Sequence, residues 1–150
     1  MPETLHPLAP LTFPLHGSRL IEASAGTGKT WTIAALVVRL VLGHGGANAF
    51  APQGQPYPLQ PAQILVMTFT RAATRELSER IRARLVEAAA CFRGHSAGDD
   101  FLHDLLATYP EATQREQAAW RLELAAQGMD DAAIFTIDAW CQRVLREHAL

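Results

Sequence analysis

At 150 residues the chain is long enough for one modest domain with a core of its own, and 49% hydrophobic against 19% charged residues marks it as globular rather than disordered. A formal net charge of −2 supplies no bulk attraction to nucleic acid, so any such binding has to come from a local patch. Two cysteines, Cys91 and Cys141, lie far apart and in no C-x-x-C pair, and six scattered histidines show no ligand spacing, which argues against a disulfide framework and against a zinc site.

Residues 1–18 contain four prolines and predict an extended leader. Met1 to Leu15 has no basic residue ahead of an apolar run, as an export signal would. The longest apolar stretch, Ile33 to Leu42, is too short to span a bilayer and contains Arg39. A soluble, cytoplasmic protein with no membrane partner is expected.

Arg19-Leu20-Ile21-Glu22-Ala23 is a short run with apolar members and predicts a first strand. It leads into Ala23-Ser24-Ala25-Gly26-Thr27-Gly28-Lys29-Thr30, which fits the phosphate-loop pattern G-x-x-x-x-G-K-[ST] at every fixed place but the first, where Ala23 replaces glycine. Lys29 is the only lysine among 13 basic residues. A backbone cradle admits a slim ammonium stem and rejects the planar fork of arginine, which accounts for that exception. Gly26 and Gly28 let the chain bend so that successive N–H groups approach phosphate oxygens. In such a loop Lys29 reaches the β- and γ-phosphates of ATP and Thr30 offers its hydroxyl to Mg²⁺. The apolar segment from Trp31 to Leu42 predicts the helix whose N-terminal dipole completes the anion site. A glycine turn capping an ordinary helix is the plainer alternative.

Gly43 to Gln63, rich in Gly, Pro and Gln, predicts a surface loop of unusual length. Ile64 to Thr70 is a continuous apolar, β-branched run and predicts a strand buried on both faces of a parallel sheet. From Arg71 to about Cys91 the residues Ala73, Leu77, Ile81, Leu85 and Ala88 recur at helical spacing. Residues 94–131 predict a mostly helical insertion in two pieces divided at Tyr109-Pro110. Ala133 to Ile137 predicts a further strand, and Ala139 to Leu150 a further helix. Strands alternating with helices predict an α/β fold with a parallel sheet and flanking helices. No carboxylate pair follows a later strand to hold Mg²⁺, so the sheet reads as incomplete and the sequence as the opening part of a longer protein.

Three stretches together resemble one family. "LIEASAGTGKTWTIAALVVRL" is similar to motif I of superfamily 1 helicases of the UvrD/RecB type, "TFTRAATRELSERI" resembles motif Ia, and "FTIDAWCQRVL" resembles the T-[FI]-H segment and its following helix. The wording is closest to the RecB branch. The resemblance spans residues 15–150 and implies a P-loop NTPase fold of the RecA-like kind, the first part of motor domain 1A, residues 19–150, of an ATP-driven motor on single-stranded DNA. It also implies RecC-like and RecD-like partner subunits, and an exonuclease domain in the full-length parent. The isolated segment is expected to hydrolyse little. A truncated product that binds nucleotide or a partner without turnover, and another kind of P-loop NTPase, are the competing readings.

The same resemblance places Phe69, Thr70 and Arg71 against single-stranded DNA. On the residues alone, Phe69 reads equally as core and Thr70 as a helix cap. Arg71, Arg75 and Arg82 share one helical stripe, suited to phosphates or to a solvated face. Thr74 replaces an alanine of motif Ia, His16 stands where a glutamine is common, and Asp138 replaces the family histidine. Asp138 reads as an N-cap, as an acid facing DNA, or as a Walker B mimic with Ala139 in the place of the glutamate.

Overall fold

The computed structural model describes residues 7–21 and 28–148. Among them lie five α-helices, three short 3-10 turns and two strands: α1 (Lys29–Leu42), β1 (Leu65–Thr68), α2 (Arg71–Phe92), α3 (Asp100–Ala107), α4 (Ala112–Gln127), β2 (Ala133–Thr136) and α5 (Ile137–Glu147). The fold is mixed α/β, with a small parallel sheet and flanking helices.

α1 carries two polar residues in its buried stripe. Ala34, Ala35, Val37, Val38, Val41 and Leu42 are buried with Thr32 and Arg39 among them. It stops at Gly43, whose φ of 68° and ψ of 32° place it in the left-handed region that glycine tolerates best, and whose N–H returns to the carbonyls of Arg39 and Leu40. α2 is 22 residues long, about 33 Å at the helical rise. Its periodic set does what the spacing predicts at Leu77, Ile81, Leu85 and Ala88, all buried, whereas Ala73 in the first turn is exposed. α2 packs along α4 and α1, with the alanines Ala88 and Ala89 on one side and Ala118, Ala119, Ala125 and Ala126 on the other helping to form the joint core.

β1 and β2 pair in parallel with Leu65 opposite Ala133 and Thr68 opposite Thr136. Parallel neighbours need a long crossover, here supplied by α2, α3 and α4. Val66 and Ile134 face the helical core. The opposite face of β1 is open, with Leu65 44% and Met67 48% exposed, so the expectation of a strand buried on both faces is corrected. Continuous apolarity reports that both faces can be covered, and among the described residues only one is.

A second correction concerns the predicted first strand. Arg19 to Ile21 form no strand, and Glu22 and Ala23 lie outside the described residues. The leader is tied down instead. Arg39, with no exposed surface, donates from Nη1 to the carbonyls of Pro10 (2.9 Å) and Phe13 (2.6 Å) and from Nε to Nδ1 of His44 (3.2 Å). The Leu15 N–H reaches the carbonyl of Asn48 at 2.7 Å. Desolvation brings Arg39 down to about 10, leaving it charged at neutral pH, and burial together with the Arg39 charge brings His44 down to about 4, so its ring is neutral and free to accept.

Candidate functional site

Two helix N-termini dominate the chemistry. The first is that of α1. Gly28 precedes it at φ 80° and ψ 23°, a left-handed turn that an L side chain resists even where space is open around the position. The turn delivers Lys29 as the first helical residue, exposed, with Thr30 half-buried beside it. Among the described residues no side chain caps this terminus, and its first turn holds no acid. Its end therefore keeps unneutralised N–H donors and a positive dipole end, which is the donor set an anion requires. Ala23, Ser24, Ala25, Gly26 and Thr27, the remainder of the expected phosphate loop, lie outside the described residues. Among the described residues no group of three or more His, Cys, Asp or Glu could hold a metal ion. A Mg²⁺ ion with a single protein hydroxyl, that of Thr30, is consistent with the way this ion keeps most of its ligands from water and phosphate.

The second terminus is that of α2, at the carboxyl end of β1. Thr70 is its N-cap, with Oγ1 accepting from the Ala73 N–H at 3.0 Å. The hydroxyls of Thr68 and Thr74 each lie 3.1 Å from the Thr70 carbonyl and within hydrogen-bond reach of one another, so with one proton apiece one donates to the carbonyl while the other donates either to it or to its fellow hydroxyl. Thr74, which replaces an alanine of the resembling motif, thus belongs to a hydroxyl network that locks the strand-to-helix turn. Phe69 is 89% exposed between strand and helix, which removes the reading of it as core.

Arg71 and Arg75 have no carboxylate partner among the described residues. Arg82, farther along the same stripe, pairs with Asp130 at 2.8 Å. All three line an open cleft of about 460 Å³ between α2 and the β2–α5 turn, opposite Phe135, Thr136 and Ala139. Phe135 stacks on Trp140 with centroids 5.9 Å apart, and the Arg143 guanidinium lies 5.2 Å from the centre of its ring. Arginines and an aromatic surface in one groove suit a phosphate backbone with bases beside it.

Asp138 is not the N-cap of α5. That role belongs to Thr136, whose hydroxyl accepts from the Ala139 N–H at 3.1 Å. The strand ends one residue earlier than the apolar run suggests, so the acid falls in the first helical turn, exposed, where the dipole favours it.

Sequence reasoning missed one constellation altogether. Trp31, in the first turn of α1, meets Phe101 of α3 edge-on at 5.9 Å, and the Arg84 guanidinium of α2 lies 5.3 Å from the Trp31 ring and 5.5 Å from that of Phe101. Arg84 is 8% exposed and is held by Asp99 at 2.7 Å and Glu87 at 3.3 Å. The cysteines are unremarkable. Burial, aided by Glu87 and Asp99 and opposed by Arg84, pushes the Cys91 thiol up, and Cys141 is exposed.

Residues 7–150 match the family model described as the UvrD/REP helicase N-terminal domain. The chain is 49% identical over 150 residues to the RecBCD enzyme subunit RecB of Escherichia coli K12, covering 99% of the chain and 12% of that relative. It is 43% identical over 153 aligned positions to the RecB subunit of Haemophilus influenzae, again 99% of the chain and 12% of the relative. To that of Mycolicibacterium smegmatis it is 37% identical over 139 positions, or 93% of the chain and 11% of the relative. The chain therefore spans about a tenth of the length of the curated relatives it matches.

Proposed function

The chain belongs to the UvrD/REP helicase N-terminal domain family, and from that premise we propose that it is the ATP-binding segment of a RecB-like DNA helicase motor. Residues 19–150 would then form part of a RecA-like P-loop domain, 1A, preceded by the leader of residues 1–18. The observation that carries the reading is the end of α1, where a left-handed Gly28 turns the chain into a helix terminus that no described side chain caps, with no acid in its first turn and Lys29 exposed on it.

In this reading the backbone from Ala23 to Gly28 cradles the phosphates, Lys29 balances charge on the β- and γ-phosphates, and the Thr30 hydroxyl holds Mg²⁺. The metal supplies further neutralisation of the charge that develops as the phosphoryl group leaves. Phe69, Thr70 and Arg71 meet single-stranded DNA at the other terminus. Thr70 there serves two ends, because a capped helix start still presents N–H groups to a phosphate. Arg75 and the cleft beside it continue that path. The parent would work in the cytoplasm with RecC-like and RecD-like subunits in recombinational repair of double-strand breaks, and would carry its exonuclease outside this segment.

The test is ATP hydrolysis by the full-length protein as a function of single-stranded oligonucleotide concentration. Turnover that requires both Mg²⁺ and single-stranded DNA supports the reading, and turnover indifferent to DNA would remove the motor from it.

A further inference from the structure

Trp31 follows Lys29 and Thr30 directly, so whatever fixes its indole also fixes the turn that presents them. The indole is gripped from two directions by elements distant in sequence. Phe101 meets it edge-on at 5.9 Å, and the Arg84 guanidinium lies 5.3 Å from its ring. Arg84 in turn has little freedom, being buried and bonded to Asp99 and Glu87. Asp99 is anchored as well. Its Oδ1 accepts from the Leu102 N–H at 3.0 Å as the N-cap of α3, and its Oδ2 takes Arg84 at 2.7 Å. Burial works to raise that carboxyl. The Leu102 N–H, the Arg84 hydrogen bond and charge, and the Trp31 indole outweigh it and hold Asp99 below the usual carboxylate range.

A buried arginine is expensive unless its partners are well placed, and among the described residues Nε has none. A leucine or methionine would fill the space beside the two aromatic rings more cheaply. What the guanidinium adds is a fixed, charged plane seated against both rings, with an orientation set by Asp99 and Glu87.

We propose that Arg84 is a positioning residue for nucleotide binding, acting through Trp31 to fix the first turn of α1 and with it Lys29 and Thr30. The proposal rests on the nucleotide reading of that turn. The same α2 that carries Arg84 begins at Thr70 and Arg71, so the first turn of α1 is registered against the helix assigned to DNA, and not merely against a passive core.

The experiment is steady-state hydrolysis of Mg-ATP by the full-length protein with single-stranded DNA saturating, in Trp31→Ala, Trp31→Phe, Arg84→Lys, Arg84→Met and the Trp31→Ala/Arg84→Met double variant, with Lys29→Ala as reference. Trp31→Ala and Arg84→Met should each raise KM for ATP about three- to tenfold with a smaller change in kcat. Trp31→Phe, which keeps a ring on the guanidinium, should stay within about twofold of wild type. Arg84→Lys should not rescue, because a compact ammonium reproduces neither the stack nor the two-carboxylate grip. Since both side chains act through one contact, the double variant should be no worse than the worse single one. Unchanged KM in both single variants, with any loss confined to thermal stability, would reduce the cluster to ordinary packing and overturn the proposal. Multiplying effects in the double variant would overturn it too. If Lys29→Ala leaves ATP turnover intact, the nucleotide reading itself falls and takes the proposal with it. Wild-type KM in the Trp31 and Arg84 variants beside a dead Lys29→Ala isolates the failure to the proposal. Should Arg84→Met not fold, the half-exposed Trp31 pair of variants carries the test.

Discussion

Thr70 and Thr136 do the same work on neighbouring parallel strands. Thr70 lies two residues past the end of β1 and Thr136 is the last residue of β2, and each accepts the N–H three residues on, from Ala73 at 3.0 Å and from Ala139 at 3.1 Å. The starts of α2 and α5 consequently lie at one edge of the sheet, where ligands of open parallel sheets bind. Arg71 and Arg75 stand at this edge without carboxylate partners among the described residues, and Thr136 and Phe135 face them across the cleft.

The first prediction concerns this edge. Arg71→Ala in the full-length protein should weaken binding of single-stranded DNA and lower the slope of log affinity against log salt by about one unit. Thr70→Ala should cost about 1 kcal/mol of local helix stability through the lost cap and weaken DNA further, whereas Thr70→Ser should behave as wild type. Salt-dependent fluorescence anisotropy of a labelled oligonucleotide reads both. An Arg71→Ala slope identical to wild type would remove the arginine from the interface.

Asp138 supplies a second. Because Thr136 caps α5 and Asp138 is an exposed acid in its first turn, Asp138→Asn should cost no more than about 0.3–1 kcal/mol of helix stability. The loss of a negative charge near the cleft should tighten DNA binding by about twofold, and ATP turnover at any Mg²⁺ concentration should be unaffected. A large loss of turnover that is partly restored by raising Mg²⁺ would move the metal site to this residue.

The Arg39 latch gives a third. Removing it with Arg39→Met leaves the carbonyls of Pro10 and Phe13 without their donor. Hydrogen exchange in a peptide covering residues 9–16 should then accelerate about ten- to a hundredfold, the range for bonds to a charged donor worth about 1.5–3 kcal/mol. An unchanged exchange rate would show that the leader is held by other contacts.

His44 makes the same latch sensitive to pH. In the folded protein its ring stays neutral down to about 4, against 6.5 for the ordinary group. The unfolded segment binds more protons between those values. The contribution is therefore fully present above about pH 6.5 and is lost as pH falls toward 4. After discounting for the part of the ring in contact with water, the loss is on the order of 1 kcal/mol. Exchange of the same peptide, corrected for its intrinsic pH dependence, should accelerate on acidification in wild type and lose that extra acceleration in His44→Gln. Equal behaviour of the two proteins would leave His44 with no part in it.

These relationships were legible in the sequence to different depths. The stripe Leu77, Ile81, Leu85 and Ala88 could be read because helix burial is a local periodicity, and Thr70 could be read as a cap because its partner is three residues away. The role of Asp138 stayed open in the sequence because Thr136 and Asp138 both offer a capping side chain, and only the true end of the strand decides between them. Arg39 stood out as the one charge in an apolar helix, yet two of its acceptors are carbonyls, which composition cannot show, and they lie 26 and 29 residues away. The Trp31, Arg84 and Asp99 cluster was invisible for a related reason. Its members come from three helices, and nothing near any one of them points to the others. Exposure of Leu65 and Met67 depends on what covers a face, a property no single strand encodes.

The central claim is that Lys29 binds the phosphates of ATP, and equilibrium binding of Mg-ATP to the full-length protein, wild type against Lys29→Ala and Lys29→Arg, tests it most directly. Both variants should lose at least about a hundredfold in affinity while keeping the wild-type thermal transition, the alanine because the charge is gone and the arginine because its fork cannot enter a backbone cradle. Wild-type affinity in Lys29→Ala would contradict the account.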